Sequence, residues 1–265
     1  MQDEEILHEV AQKAFTSYCD SSENYYEKTP RFAVNPGRKA MRLFEYVLPI
    51  MLEEASSSNM VPYKFEMNLK HLSDPIRIMT RSGKEISFVG SIDRLDLNPD
   101  SGDVRVIDYK TGAKKIELKK TLAGLQTQLF AYANAAIREG CNVNDVGYFE
   151  IGMKPATKGE FKIEPQMSSL SSEDFEEVRT YVDMLIRQNC DEIAEGKADA
   201  RVNSLTGNGS ASACRYCPYS GACGNDPSCP ERLYNATIIG HEDGSKAKTE
   251  DIINTMKARK ENKDE

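Results

Sequence analysis

The chain has 265 residues, with 34 Lys plus Arg against 42 Asp plus Glu, for a formal charge of −8. Apolar residues are 39% and charged residues 29%, which predicts one large or two small folded domains with a sizeable core. No apolar run approaches the roughly 18–20 residues of a membrane helix. The opening Met1-Gln2-Asp3-Glu4-Glu5 lacks the basic-then-apolar layout of a signal peptide, and the acidic balance excludes coating of nucleic acid through bulk charge.

The first predicted helix covers 3–20, where Ile6, Leu7, Val10, Ala11, Ala14, Phe15 and Tyr18 recur at three- and four-residue spacing. Pro36-Gly37 opens a second, about 38–55, with Met41, Leu43, Phe44, Val47, Leu48 and Met51 on its buried side. It should end in the Ser56-Ser57-Ser58-Asn59 loop. From 62 to 110 the apolar period becomes two. Turn clusters at Arg81-Ser82-Gly83-Lys84 and Asn98-Pro99-Asp100-Ser101-Gly102 predict an antiparallel meander of three or four strands.

A helix is expected over 117–138, on Leu118, Leu122, Leu125, Leu129, Tyr132 and Ala136. Strand character returns over 146–164, and Ser172 with Glu173 and Asp174 is expected to cap a helix to about 195. Beyond Gly196 the composition turns to Gly, Ser, Asn and Cys through 229, and the Lys- and Glu-rich tail after Gly240 reads as a frayed helix. The order predicts an α/β (α+β) fold, a central mixed sheet with an antiparallel meander flanked by helices. The expected organisation is a core over 1–198, a cysteine-rich loop over 199–235 and a charged tail over 236–265.

The informative stretch is Gly90-Ser91-Ile92-Asp93-Arg94-Leu95-Asp96, then Val106-Ile107-Asp108-Tyr109-Lys110-Thr111-Gly112. Asp93 and Asp108 fall near the ends of two strands joined by a short turn, so both can converge on one point beside the sheet. Two carboxylates there suit a hard divalent cation such as Mg²⁺ or Mn²⁺. Residues 108 and 110 of a strand share a face, so Lys110 sits beside Asp108, an arrangement suited to metal-assisted hydrolysis of a phosphodiester. Taken alone, Asp-x-Lys is weak and equally describes solvated charges at a strand end.

The pattern has company in a fixed order: His8 in the first helix, Gly-x-x-Asp, Asp-Tyr-Lys-Thr-Gly, then Gln128-x-x-x-Tyr132. In this the sequence resembles the PD-(D/E)XK nucleases of the RecB family, over at least residues 8–132. The resemblance implies a restriction-endonuclease-like core and a metal-dependent DNA exonuclease. It makes His8, Asp93, Asp108 and Tyr109 the metal site, Lys110 the catalytic lysine, and Gln128 and Tyr132 residues of a DNA-facing helix. Lys110, Lys114, Lys115, Lys119 and Lys120 place five ammonium groups within eleven residues. Such a run is either a solvated helix face or a strip of phosphate contacts; on the second reading Lys114 and Lys115 touch DNA.

Of seven cysteines (19, 141, 190, 214, 217, 223 and 229), three form the run Cys214-Arg215-Tyr216-Cys217, then five residues, then Cys223. That is metal-site spacing. It resembles the C-terminal triplet of AddB-type subunits of bacterial helicase–nucleases and of Cas4-like nucleases, which implies a 4Fe-4S cluster closed by one distant upstream Cys. The Ile-Asp-Arg-Leu-Asp wording, Glu66 and the Cys-Pro-Tyr text favour the AddB type. In the family the upstream Cys precedes the helix carrying the histidine, whereas here Cys19 follows His8, so an incomplete or absent cluster is expected in this chain. Cys229 as a local fourth ligand would instead suit zinc. Cys141 and Cys190 read as ordinary buried thiols. No Gly-x-x-x-x-Gly-Lys-Ser/Thr loop is present. The chain is therefore expected to be a fragment of a longer subunit, with DNA and an AddA-type helicase–nuclease subunit as partners, no membrane, and a bacterial, cytoplasmic, nucleoid-associated location. The alternatives are a free-standing Cas4-like nuclease and a DNA-binding scaffold with an idle site.

Overall fold

The computed structural model describes residues 2–21, 47–54, 56–110, 115–151, 165–168, 170–197, 218–219 and 251–256. Helix α1 runs Gln2–Ser21. Along it Ala11 is buried, but Ile6 and Val10 are 56% and 54% exposed, so the apolar stripe is not covered at those positions. Helix α2 covers 47–54 and continues through 56–58. The serines expected as a loop instead extend this helix, with Ser56 Oγ donating to the carbonyl of Leu52 at 2.8 Å. The helix then stops at Asn59, whose φ of +52° cannot continue it.

Among the described residues seven strands follow: β1 Val61–Asn68, β2 Arg77–Met79, β3 Glu85–Ser87, β4 Ser91–Leu97, β5 Asp103–Lys110, β6 Asn142–Glu150 and β7 Pro165–Met167. The main sheet has the order β1-β4-β5-β6-β7, all neighbours antiparallel except the parallel pair β5–β6. The meander is therefore β1-β4-β5. The predicted second strand and its turn form a separate two-stranded ribbon, β2–β3, between β1 and β4 in the chain. Three-residue strands around a left-handed Gly83 (φ +77°) form a hairpin too short to widen the sheet.

Parallel β5 and β6 require a crossover. It carries α3 Leu118–Leu122 and α4 Gln128–Arg138. The sequence predicts one helix here, and the chain makes two because Gly124 takes φ +72°. Its N–H reaches the carbonyl of Thr121 at 2.9 Å and the N–H of Leu125 that of Lys120 at 2.8 Å. Those two bonds are a Schellman closure, which ends a helix wherever a residue without Cβ accepts the left-handed conformation.

One face of the sheet carries Leu95, Val104, Val106, Val146 and Tyr148 against α4 and α5 (Ser172–Ala194) in the main core. Ala133 and Ala136 are fully buried, and Phe130 lies 5.6 Å from Phe175 across the α4–α5 contact. Ser171, one residue before the expected start, caps α5 by accepting from the N–H of Asp174. The opposite face carries Ile107 and Phe149 against Val47, Ile50 and Met51 of α2. Strand β5 is thus covered on both sides, which explains its unbroken burial from Val104 to Asp108. Residues 251–256, α6, lie within the segment expected as a charged tail, yet Ile252 and Met256 are buried in the main core. Of the expected strand over 146–164, residues 152–164 lie outside the described residues, as do 199–217 and 220–235 of the cysteine-rich loop. Cys190 is buried and Cys141 half-buried, both thiols raised by burial.

Candidate active site

The antiparallel register pairs Arg94 with Ile107, Leu95 with Val106 and Asp96 with Arg105. One step further places Asp93 opposite Asp108, so both carboxylates leave the same face at neighbouring strand positions. Asp93 Oδ2 accepts the N–H of Tyr109 at 2.8 Å, where a ladder bond would otherwise lie. Asp108 is 2% exposed.

Lys110 returns to that face two residues on, with Nζ 2.5 Å from Asp108 Oδ2. Nζ also donates to Gln128 Oε1 at 3.2 Å, and Gln128 Nε2 donates to the hydroxyl of Tyr132 at 3.1 Å. Gln128 opens α4 and Tyr132 stands one turn later, so helix geometry delivers both to the strand end. The side chain of Tyr109 points to the other face, edge-on to Phe149 at 5.8 Å and 3.5 Å from Arg94 Nη1. Burial raises its hydroxyl above the ordinary tyrosine range, against the pull of Arg94.

Asp93, Asp108, Lys110, Gln128 and Tyr132 are therefore gathered at one end of the inner strand pair β4–β5, with the amide of Tyr109 among them. His8 lies exposed on α1. Among the described residues no three His, Cys, Asp or Glu side chains form a group able to hold a metal ion, so His8 does not complete a trio with the two aspartates. Lys115 is exposed; Lys114, Cys214, Cys217 and Cys223 lie outside the described residues. Two carboxylates at adjacent strand positions fit Mg²⁺, which takes one or two protein carboxylates and keeps waters for the rest.

Sequence reasoning missed what surrounds this set. Behind the sheet, Arg94 forks onto Asp96 at 2.5 and 2.7 Å, and Arg105 Nη2 bridges Glu54 of α2 at 2.5 Å and Asp96 at 3.0 Å. Arg94 is 1% exposed and Asp96 is fully buried. Burial opposes the guanidinium charge of Arg94, but the paired carboxylate and Tyr109 outweigh it and keep the group charged beyond the usual arginine range. Period two puts Arg94 and Asp96 on one face of β4, but no local feature of the sequence tells that a helix covers that face. On the site face, the parallel register sets Tyr148 beside Asp108 and Glu150 beside Lys110, both buried. No local signal reveals that pairing, because β6 begins some thirty residues later, across a crossover. Gln126 is buried too: its Oε1 accepts from the N–H of Glu117 and its Nε2 donates to the carbonyl of Lys115, both at 2.8 Å.

Among known proteins, the chain matches one from Thermoanaerobacter sp. (strain X514) that is named as the B-type subunit of an ATP-dependent helicase/deoxyribonuclease. The two are 23% identical over 263 residues, covering 76% of this chain and 22% of that protein. A protein of the same name from Caldanaerobacter subterraneus subsp. tengcongensis is 32% identical over 154 residues, covering 54% of this chain and 12% of that one. One from Clostridium perfringens (strain SM101 / Type A) is 27% identical over 281 residues, covering 83% and 23%. The chain thus spans less than a quarter of the length of these relatives. The model of the PD-(D/E)XK nuclease superfamily matches residues 1–224, and with the Asp93, Asp108 and Lys110 geometry in place the chain belongs to that superfamily.

Proposed function

We propose that the chain is a divalent-metal-dependent DNA exonuclease domain of an AddB-like helicase–nuclease subunit, acting in double-strand break processing and recombination. The observation that carries this reading is the placement of Asp93, Asp108 and Lys110 on one face of adjoining strands, with the ammonium 2.5 Å from Asp108. Asp93 and Asp108 would hold Mg²⁺ or Mn²⁺, with the carbonyl of Tyr109 as a further member of the site. When bound, the ion supplies Lewis-acid stabilisation of charge at phosphorus and activation of water.

The protein's own residues do the rest. The amide of Tyr109 fixes the Asp93 carboxylate, so the donor is set before substrate arrives. Lys110 brings a positive charge to the developing charge on the phosphate, beside the buried carboxylate of Asp108. Gln128 and Tyr132 line the approach of DNA, and Lys114 and Lys115 contact its phosphates. The relatives' printed name supports DNA as substrate and a further subunit as partner, which the resemblance to the AddB type makes an AddA-type helicase–nuclease subunit. The spacing of Cys214, Cys217 and Cys223 supports a 4Fe-4S cluster in the longer protein.

End-labelled linear duplex and closed circular DNA, each with Mg²⁺ or with chelator, test the reading. It expects release of short products from linear DNA only, and only with metal. Cutting of the circle would replace exonuclease with endonuclease, and inertness toward both would leave an idle site.

A further inference from the structure

Lysine is a poor catalytic group unless it is held, because four methylenes give its ammonium a wide range of positions. Here three contacts narrow that range. Asp108 Oδ2 pairs with its charge at 2.5 Å, and Gln128 Oε1 accepts one of its three N–H donors at 3.2 Å. The third contact is with an aromatic face: Nζ stands 5.7 Å from the centre of the Tyr148 ring, within cation–π distance.

We propose that Tyr148 is a positioning residue for Lys110, its buried ring serving as the floor against which the ammonium rests while its other side faces water or phosphate. This inference rests on the nuclease reading for its kinetic consequence. Two features make the ring a fixed surface. It is 1% exposed and belongs to the main core, in direct parallel register with Asp108. Its hydroxyl lies toward Gln126, whose side chain bonds the backbone at Lys115 and Glu117 as the chain leaves the site. The ring offers the ammonium its electron-rich face. A leucine would fill much of the same space without offering that face.

The test combines a spectrum with a rate. In protein carrying isotope-labelled lysine, the side-chain resonances of Lys110, identified by their loss in Lys110→Arg, are expected upfield of the other lysines through the ring current of Tyr148. In Tyr148→Leu that displacement vanishes, and kcat on linear duplex DNA falls about tenfold with KM changed by no more than about twofold. Tyr148→Phe, which restores the ring without the hydroxyl, recovers both the displacement and most of the rate. A Lys110 resonance at the ordinary lysine position in the parent overturns the proposal. So does a folded Tyr148→Leu protein with the parent kcat, or a rate in Tyr148→Phe as low as in Tyr148→Leu. Should Tyr148→Leu fail to fold, the parent spectrum still decides the contact, and a Tyr148→Phe kcat about tenfold below the parent overturns the proposal. Absence of nuclease activity in the parent refutes the nuclease reading instead, and the resonance then decides the contact alone.

Discussion

The N–H of Tyr109 donates to Asp93 Oδ2 at 2.8 Å, so the carboxylate of β4 is held by the backbone of the strand that bears Asp108 and Lys110. This bond separates shape from charge. An asparagine at 93 keeps an oxygen able to accept from the amide, yet it holds a divalent ion far less strongly than a carboxylate does. Asp93→Asn should therefore change stability by less than about 1 kcal/mol while nuclease activity at millimolar Mg²⁺ is lost. Paired urea melts and Mg²⁺ titrations of activity check this, and parent-like activity would remove Asp93 from the metal site.

Behind the sheet, Glu54, Arg94, Asp96 and Arg105 form a balanced set of two acids and two bases, all buried or nearly so. Removing one member strands a partner's charge in the interior, which costs about 3–5 kcal/mol. Arg94→Leu should lose stability on that scale. The double variant Arg94→Leu/Asp96→Leu should lose clearly less than the sum of the two singles, because it deletes a neutral pair. Additive single losses in chemical denaturation would show that the pair is not coupled.

How much of this was legible in the sequence follows from the reach of each signal. Asp108 and Lys110 sharing a face is a consequence of period two, and Asp93 lying opposite follows from one tight turn. Both read directly. Gln128 and Tyr132 read as one helix face, but their contact with Lys110 depends on α4 beginning at Gln128, and the periodicity of Leu118, Leu122, Leu125 and Leu129 ran straight through the break that Gly124 imposes. Tyr148, Glu150 and Gln126 were out of reach, since a parallel partner's register is set by the whole crossover and leaves no mark beside Asp108. The β2–β3 ribbon was misplaced because alternation reveals a strand and not which sheet it joins.

Gln128 holds Lys110 on one side and Tyr132 on the other, and its hydrogen bonds reach neither aspartate. Gln128→Ala and Tyr132→Phe should weaken DNA affinity and turnover severalfold and leave Mg²⁺ affinity unchanged. Calorimetry of the metal and of a short duplex separates the two effects. Lost metal affinity with unaltered DNA binding would contradict the placement.

Met256 is 5% exposed within the main core, beside Ile252 at 9%. The charged C-terminal segment thus contributes a small helix to the fold. Met256→Ala should cost about 2–5 kcal/mol, read from urea denaturation. A cost below about 0.5 kcal/mol would mean that α6 does not stay docked in solution.

The central claim is that Asp108 and Lys110 carry the chemistry, and single-turnover digestion of end-labelled linear duplex by the parent, Asp108→Ala and Lys110→Ala proteins tests it most directly. The account predicts metal-dependent cleavage by the parent, loss of at least about a hundredfold in both variants, and Mg²⁺ binding retained in Lys110→Ala but lost in Asp108→Ala. Cleavage by either variant at the parent rate, with contaminating nuclease excluded, would contradict it.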